Sequence, residues 1–268
     1  MRRRLLEVFF IFAALLRPPV LPAEPVAVRR AEGVVHGFLV LRSSDGKTLA
    51  DGDLIQFADG DRVTSRVVFH FRDGSIHDDT AVFSQRGRFR LLSDHLVQKG
   101  PSFPHPMEVS IDGRSGRVTV RYRDKDGDEK VVDERLDLPD DVANGLTLTL
   151  IKNLAPEAGE TTASMVAATP KPRLVKLVIS REVEEPFSIG ISSRKATRYG
   201  VKIEIGGLTG LLARLLGKIP PDTHVWILRG SAPAFVKSEG PLYFGGPVWR
   251  IELTSPTWPK ATPAASRR

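Results

Sequence analysis

The chain has 268 residues, a net charge of +7, 41% apolar residues and no cysteine. That apolar fraction suffices for a folded core and excludes wholesale disorder. The lack of cysteine excludes disulfides, thiol nucleophiles, cysteine-ligated zinc, iron–sulfur clusters and a lipidated N-terminal cysteine.

The N-terminus opens with Arg2, Arg3 and Arg4, followed by the apolar run Leu5–Leu16, interrupted by Glu7. Pro18 and Pro19 stop any helix there. Such a run spans about 18 Å as a helix, short of a hydrocarbon core of roughly 30 Å, so no stable transmembrane anchor is expected. The pattern predicts a signal peptide over residues 1–23, cleaved near Ala23, and an exported protein, periplasmic or secreted. Cleavage removes Arg2, Arg3, Arg4 and Arg17 against Glu7, taking the net charge from +7 to +4. So small a surplus gives no reason to expect nucleic acid as a partner.

Period-two alternation is the main pattern beyond the N-terminus. It occurs at Val34–Leu41, Arg62–Phe71, Arg88–Leu92, Met107–Ile111 and Arg117–Arg123, and again at Leu174–Ile179, Val201–Ile205 and Val248–Leu253. Alternation of this kind marks strands with one buried and one wet face, usual in antiparallel sheets. Asp73-Gly74 and Asp126-Gly127 fall between such runs and suit two-residue hairpin turns.

Pro139-Asp140-Asp141 predicts a helix start, with the helix ending near Leu154 before Pro156. Leu208, Leu211, Leu212, Leu215 and Leu216 form a second helical stripe. Residues 155–172 read as a linker or as a stretch holding a short strand around Ser164–Ala168. The tail 256–268 is polar, Pro-rich and expected to be disordered. Residues 24–255 thus read as a single β-rich domain with a conceivable division near 155–172. The expected fold is mainly β: a long curved antiparallel sheet or open half-barrel with one or two packed helices.

Several groups invite a chemical reading. A two-residue loop at Asp73-Gly74 sets His70 opposite His77 on one face, with Asp79 following. Two imidazoles and a carboxylate could begin a zinc or nickel site. Arg66 and Arg72 raise the local potential against a cation, and no further ligand is fixed by spacing. No metal or other cofactor is therefore assigned. Arg86, Arg88 and Arg90 would form a basic stripe able to hold an anion. His95 and His105 flank the Pro-punctuated stretch Gln98–Pro104, and the segment Gln98–Pro106 could offer a partner surface. The acidic run Asp124–Glu129 fails as a calcium loop, because Gly127 stands fourth rather than sixth. No G-x-S-x-G, H-E-x-x-H or G-x-G-x-x-G motif occurs. No catalytic residue is assigned, and the reading leans away from an enzyme.

The order of signal, hairpin meander from about Val34 to Leu136, inserted helix from Pro139 and further strands resembles bacterial lipoprotein-carrier-like proteins. Those are exported half-barrels whose helices plug an apolar hollow. The chain is also similar in this way to other exported bacterial β-rich proteins. The resemblance lies in overall design and transfers no functional residue. It implies a non-catalytic binding or carrier protein for a lipidic or amphiphilic ligand. Phe69, Phe71, Phe89, Val118, Val120 and Tyr122 are the candidate lining, unless they fill a dry core instead. The alternatives are an envelope scaffold that binds a protein partner through sheet edges or Gln98–Pro106 and, less favoured, a metal-dependent hydrolase.

Overall fold

The computed structural model describes residues 25–189, 192–205, 220–230 and 232–254. The expected signal segment, the Leu208–Leu216 stripe and the tail 256–268 lie outside the described residues. The strands are β1 (Val35–Arg42), β2 (Thr48–Asp59), β3 (Arg62–Phe71), β4 (Ile76–Ser84), β5 (Arg90–Lys99), β6 (Met107–Asp112), β7 (Arg117–Arg123) and β8 (Glu129–Arg135), then β9 (Glu160–Ala167), β10 (Arg173–Ile189), β11 (Ser192–Glu204), β12 (Thr223–Leu228), β13 (Ala234–Gly240) and β14 (Trp249–Thr254). One helix, α1 (Thr147–Asn153), stands among the described residues.

All fourteen strands belong to one antiparallel sheet, in the order β8-β7-β6-β5-β4-β3-β2-β1-β14-β13-β12-β11-β10-β9. Two hairpin meanders run outwards from the middle and meet where β1 pairs with β14, Leu41 opposite Ile251. The alternation dictates which face is buried. On β3, Val63, Phe69 and Phe71 are buried, while Arg62, Arg66 and His70 are exposed. The inward side chains of both meanders join one apolar cluster, which the curvature of the sheet brings together around residues 142–154.

That connecting segment departs from the expected helix. Only Thr147–Asn153 is helical; Val142 and its neighbours lie against β9 instead. Val142 bridges Ser164 in parallel, and the Ala143 amide donates to the Ser164 carbonyl at 2.8 Å. Asn144 continues this pairing with its side chain, donating to the Val166 carbonyl and accepting from the Val166 amide at 3.0 and 2.8 Å. The open edge of β9 is thereby covered. Gly145 then turns the chain into α1 at φ 64°, a left-handed conformation that breaks a continuous helix. The far end of α1 is tied to the N-terminal segment. Asn153 accepts the amides of Arg29 and Arg30, and Lys152 meets Glu32 at 2.6 Å in a largely buried pair.

The hairpins also differ in register. Phe71 donates its amide to the Ser75 carbonyl, so Arg72, Asp73 and Gly74 form a three-residue loop with Gly74 at φ 84°. Asp124 and Asp128 close the Asp126-Gly127 turn in the same manner. A type I turn ending in a left-handed glycine accounts for both. The extra residue shifts pairing by one position, and a shift of one exchanges the faces of a strand. His70 stands opposite Ile76, and Phe69 opposite His77.

Candidate functional site

Between the arms of the curved sheet lies a cavity of about 380 Å³. Its walls come from β3 to β5 on one side and β9 to β12 on the other, with Leu148 of α1 facing it. Most of the lining is apolar: Val67, Phe69, Leu96, Met165, Val175 and Val201 are representative. The polar side chains at its wall include His77 and Asp79 of β4, Asp94 of β5 and Arg173 of β10.

His77 is buried, with 6% of its surface exposed. The Gln98 amide nitrogen donates to its Nδ1 at 3.0 Å and to the Leu242 carbonyl at 2.7 Å. The second bond fixes the orientation of the Gln98 amide, so Nδ1 accepts and the hydrogen of the neutral ring sits on Nε2. Burial holds the imidazole neutral, lowering its pKa to about 4.

Asp79 and Asp94 lie diagonally across the β4–β5 pair, where Asp79 opposes Leu96 and Asp94 opposes Ala81. Asp94 is 5% exposed. The Oδ1 atoms of both are buried without a donor partner. The carboxyls are within hydrogen-bonding reach of each other. Two ionised carboxylates cannot hydrogen-bond each other, so a bond between them forms only when one of the two is protonated. Burial pushes Asp79 up to about 6, with the Asp94 contact acting against it. Burial raises Asp94 well above the usual carboxylate range, and the Asp79 charge adds to the rise. The backbone of Gly145 closes over the pair: a Cβ there would stand 2.9 Å from Asp94 Oδ1 and 2.4 Å from the Ala81 Cβ.

At the other wall, Arg173 is the first residue of β10 and partly buried. Its Nε is buried and lacks a hydrogen-bond partner.

The register does not bring the candidate group His70, His77 and Asp79 together on one face. His70 points outwards, whereas His77 and Asp79 face the interior. Among the described residues no group of three His, Asp or Glu side chains could hold a metal ion. Of the six expected lining residues, Phe69 borders the cavity. Phe71 packs edge-on against Phe103 at 5.3 Å and near Trp249 at 5.5 Å. Phe89 packs against Phe83, and Val118 and Val120 are fully buried in the filled core, with Tyr122 partly buried beside it. In the basic stripe, Arg86 pairs with Asp61 and Arg90 with Asp140, each within 2.8 Å. His95 lies outside, 3.1 Å from Glu108, and His105 is exposed. Sequence reasoning missed Asp94 and Arg173. Asp94 sits in a run, Leu91–Leu96, where acid and apolar residues do not alternate cleanly.

No helix among the described residues is long and apolar enough to cross a membrane. No protein-family model and no curated protein matches the chain. Among solved structures, it is similar to a β-barrel-like protein of domain of unknown function DUF1849 from Brucella abortus, with 10% identity, a TM-score of 0.45, and coverage of 84% of this chain and 98% of that one.

Proposed function

We propose that the protein is an exported, non-catalytic carrier of one small amphiphile. The carrying observation is the apolar cavity of about 380 Å³ in the hollow of the sheet, bordered by a few polar groups. Ligand pockets run from about 300 to 1,000 Å³ and combine apolar walls with sparse polar anchors. A cavity near the lower limit suits a single-chain molecule better than a lipid with several acyl chains. The signal-like N-terminus and the likeness in design to lipoprotein-carrier-like half-barrels support the same reading.

Two observations weigh against a scaffold. Phe103, at the centre of the Gln98–Pro106 segment, is buried, and Ser102 is bonded to Ser75 and Asp73. The β8 edge carries Glu129, Lys130, Asp133, Glu134 and Arg135, a charge density that discourages strand addition.

The test is titration of the full chain with a fluorescent fatty-acid probe. The wild type is expected to take up one probe molecule. Leu148→Trp places an indole in the cavity and should weaken uptake about tenfold or more, roughly 1.4 kcal/mol, while the protein stays folded by circular dichroism. No uptake by the wild type, or equal uptake by the folded Leu148→Trp protein, would overturn the proposal.

A further inference from the structure

The cavity wall leaves buried polar atoms without partners on two sides, at Asp79 and Asp94 and at Arg173. Asp94 is nine-tenths buried, borders the cavity and has an oxygen with no donor; Asp79 beside it has another. A proton held between the two carboxyls leaves one negative charge on the pair. Unpaired buried polar oxygens are costly, and an unpaired buried charge costs more. A ligand that brings donors and a positive charge would remove both costs. Arg173 also borders the cavity, but it is only partly buried and stands at a strand end close to the exposed Pro170 and Lys171, so water reaches part of it. Its demand for a partner is the weaker one. His77, the other ionisable group on the inner face of β4, accepts from Gln98 and adds no positive charge.

We infer that Asp79 and Asp94 together anchor the head of the ligand, and that the cavity selects a primary ammonium amphiphile over an anionic one. This rests on the carrier reading and specifies its ligand. An alkylammonium offers three N–H donors and one positive charge to the paired carboxyls, and its chain occupies the apolar remainder of the cavity.

The selection depends on pH. The charged and titratable groups that bear on the pair are Asp78 on β4 and His95 on β5, with His77 on the same inner face and Arg173 at the cavity wall on β10. Asp78 is held by Arg66 at 2.6 Å and His95 by Glu108 at 3.1 Å, both on the outer face. With Asp79 at about 6, the pair is ionised at about pH 7.5 and mostly doubly protonated at about pH 5, while His77, at about 4, stays neutral at both.

The experiment is calorimetric titration of the full chain with dodecylammonium chloride, sodium dodecanoate and dodecanol, each below its aggregation threshold. Dodecylammonium should bind about tenfold or more tightly than dodecanoate at about pH 7.5. Its advantage over dodecanol, which is uncharged throughout, should shrink about tenfold between about pH 7.5 and pH 5. The isosteric variant Asp79→Asn/Asp94→Asn should lose that advantage while still binding dodecanol. Equal or tighter binding of dodecanoate would overturn the inference and leave the carrier standing with Arg173 as anchor. An ammonium preference that persists at about pH 5 would also overturn it, as would one that survives in the variant. The wild-type pH series decides the matter even if the variant does not fold. Binding of none of the three would remove the carrier reading as well.

Discussion

Replacing Asp79 and Asp94 together by asparagine should stabilise the protein at neutral pH and leave its stability nearly unchanged near pH 4. The magnitude comes from the burial of the pair. Asp79 titrates at about 6 in the folded protein against 3.8 for an unperturbed carboxyl. Each pH unit between those values corresponds to about 1.4 kcal/mol, so the folded state is penalised by about 3 kcal/mol once the pH exceeds both. The sign is fixed: a raised carboxyl pKa means that the folded chain binds more protons than the unfolded one between 3.8 and about 6, so stability falls as pH rises through that window. Asp94 is displaced in the same direction, so Asp79 alone sets the lower bound. His77 works oppositely. Its depressed value, about 4 against 6.5, makes stability fall as pH drops through that range. The two trends offset each other in the wild type, but His77 is present in both proteins and cancels in their difference. Urea denaturation at about pH 7.5 and about pH 4 measures that difference. A gain of equal size at both pH values would refute the reasoning, as would a wild type more stable than the variant at the higher pH.

Three further outcomes are expected. Gly145→Ala should cost roughly 2–5 kcal/mol in thermal or urea unfolding, because the new Cβ meets Ala81 at 2.4 Å in a left-handed backbone. Gln98→Leu strips the side-chain donor that serves both His77 Nδ1 and Leu242 O and should cost about 2–4 kcal/mol in urea titration; loss below about 0.5 would contradict the network. Lys152→Met leaves the buried Glu32 carboxylate without its cation, with the Gln56 amide still donating to it, and should cost about 3 kcal/mol, of which Glu32→Gln in the same chain should recover more than half, as a double-mutant cycle would show.

The mainly β, curved antiparallel architecture was legible because alternation reports burial directly. Arg62–Phe71 and Arg117–Arg123 coincide with β3 and β7. The faces of β4 were not legible. Ile76 and Val82 lie on one parity, Ala81 and Phe83 on the other, so apolar content alone cannot decide which side is buried. The turn decided it, through one residue that a two-residue reading of Asp73-Gly74 omits. His77 and Asp79 therefore face the cavity, while His70 faces solvent. Alternation also reports a face without its depth. Phe69 and Val118 are equally buried, yet one borders the cavity and the other fills the core. That distinction depends on where the segment before α1 crosses the hollow, a tertiary matter set by Asn144 docking on β9.

The pairing of β1 with β14 has a kinetic consequence. Every other neighbouring pair in the sheet joins strands consecutive in the chain, so each pairs across a connection far shorter than the loop the seam must close. The central seam joins Leu41 to Ile251 and must close a loop of roughly 200 residues, an entropic cost about 3 kcal/mol above that of a short hairpin loop. Contacts that span the chain are made slowly. Two half-sheets, each with unpaired inner edges at β1 and β14, should therefore accumulate before the final step. The cavity, whose walls come from both halves, exists only after they join. A ligand that fills it binds the joined state alone, and would hold the seam shut by mass action.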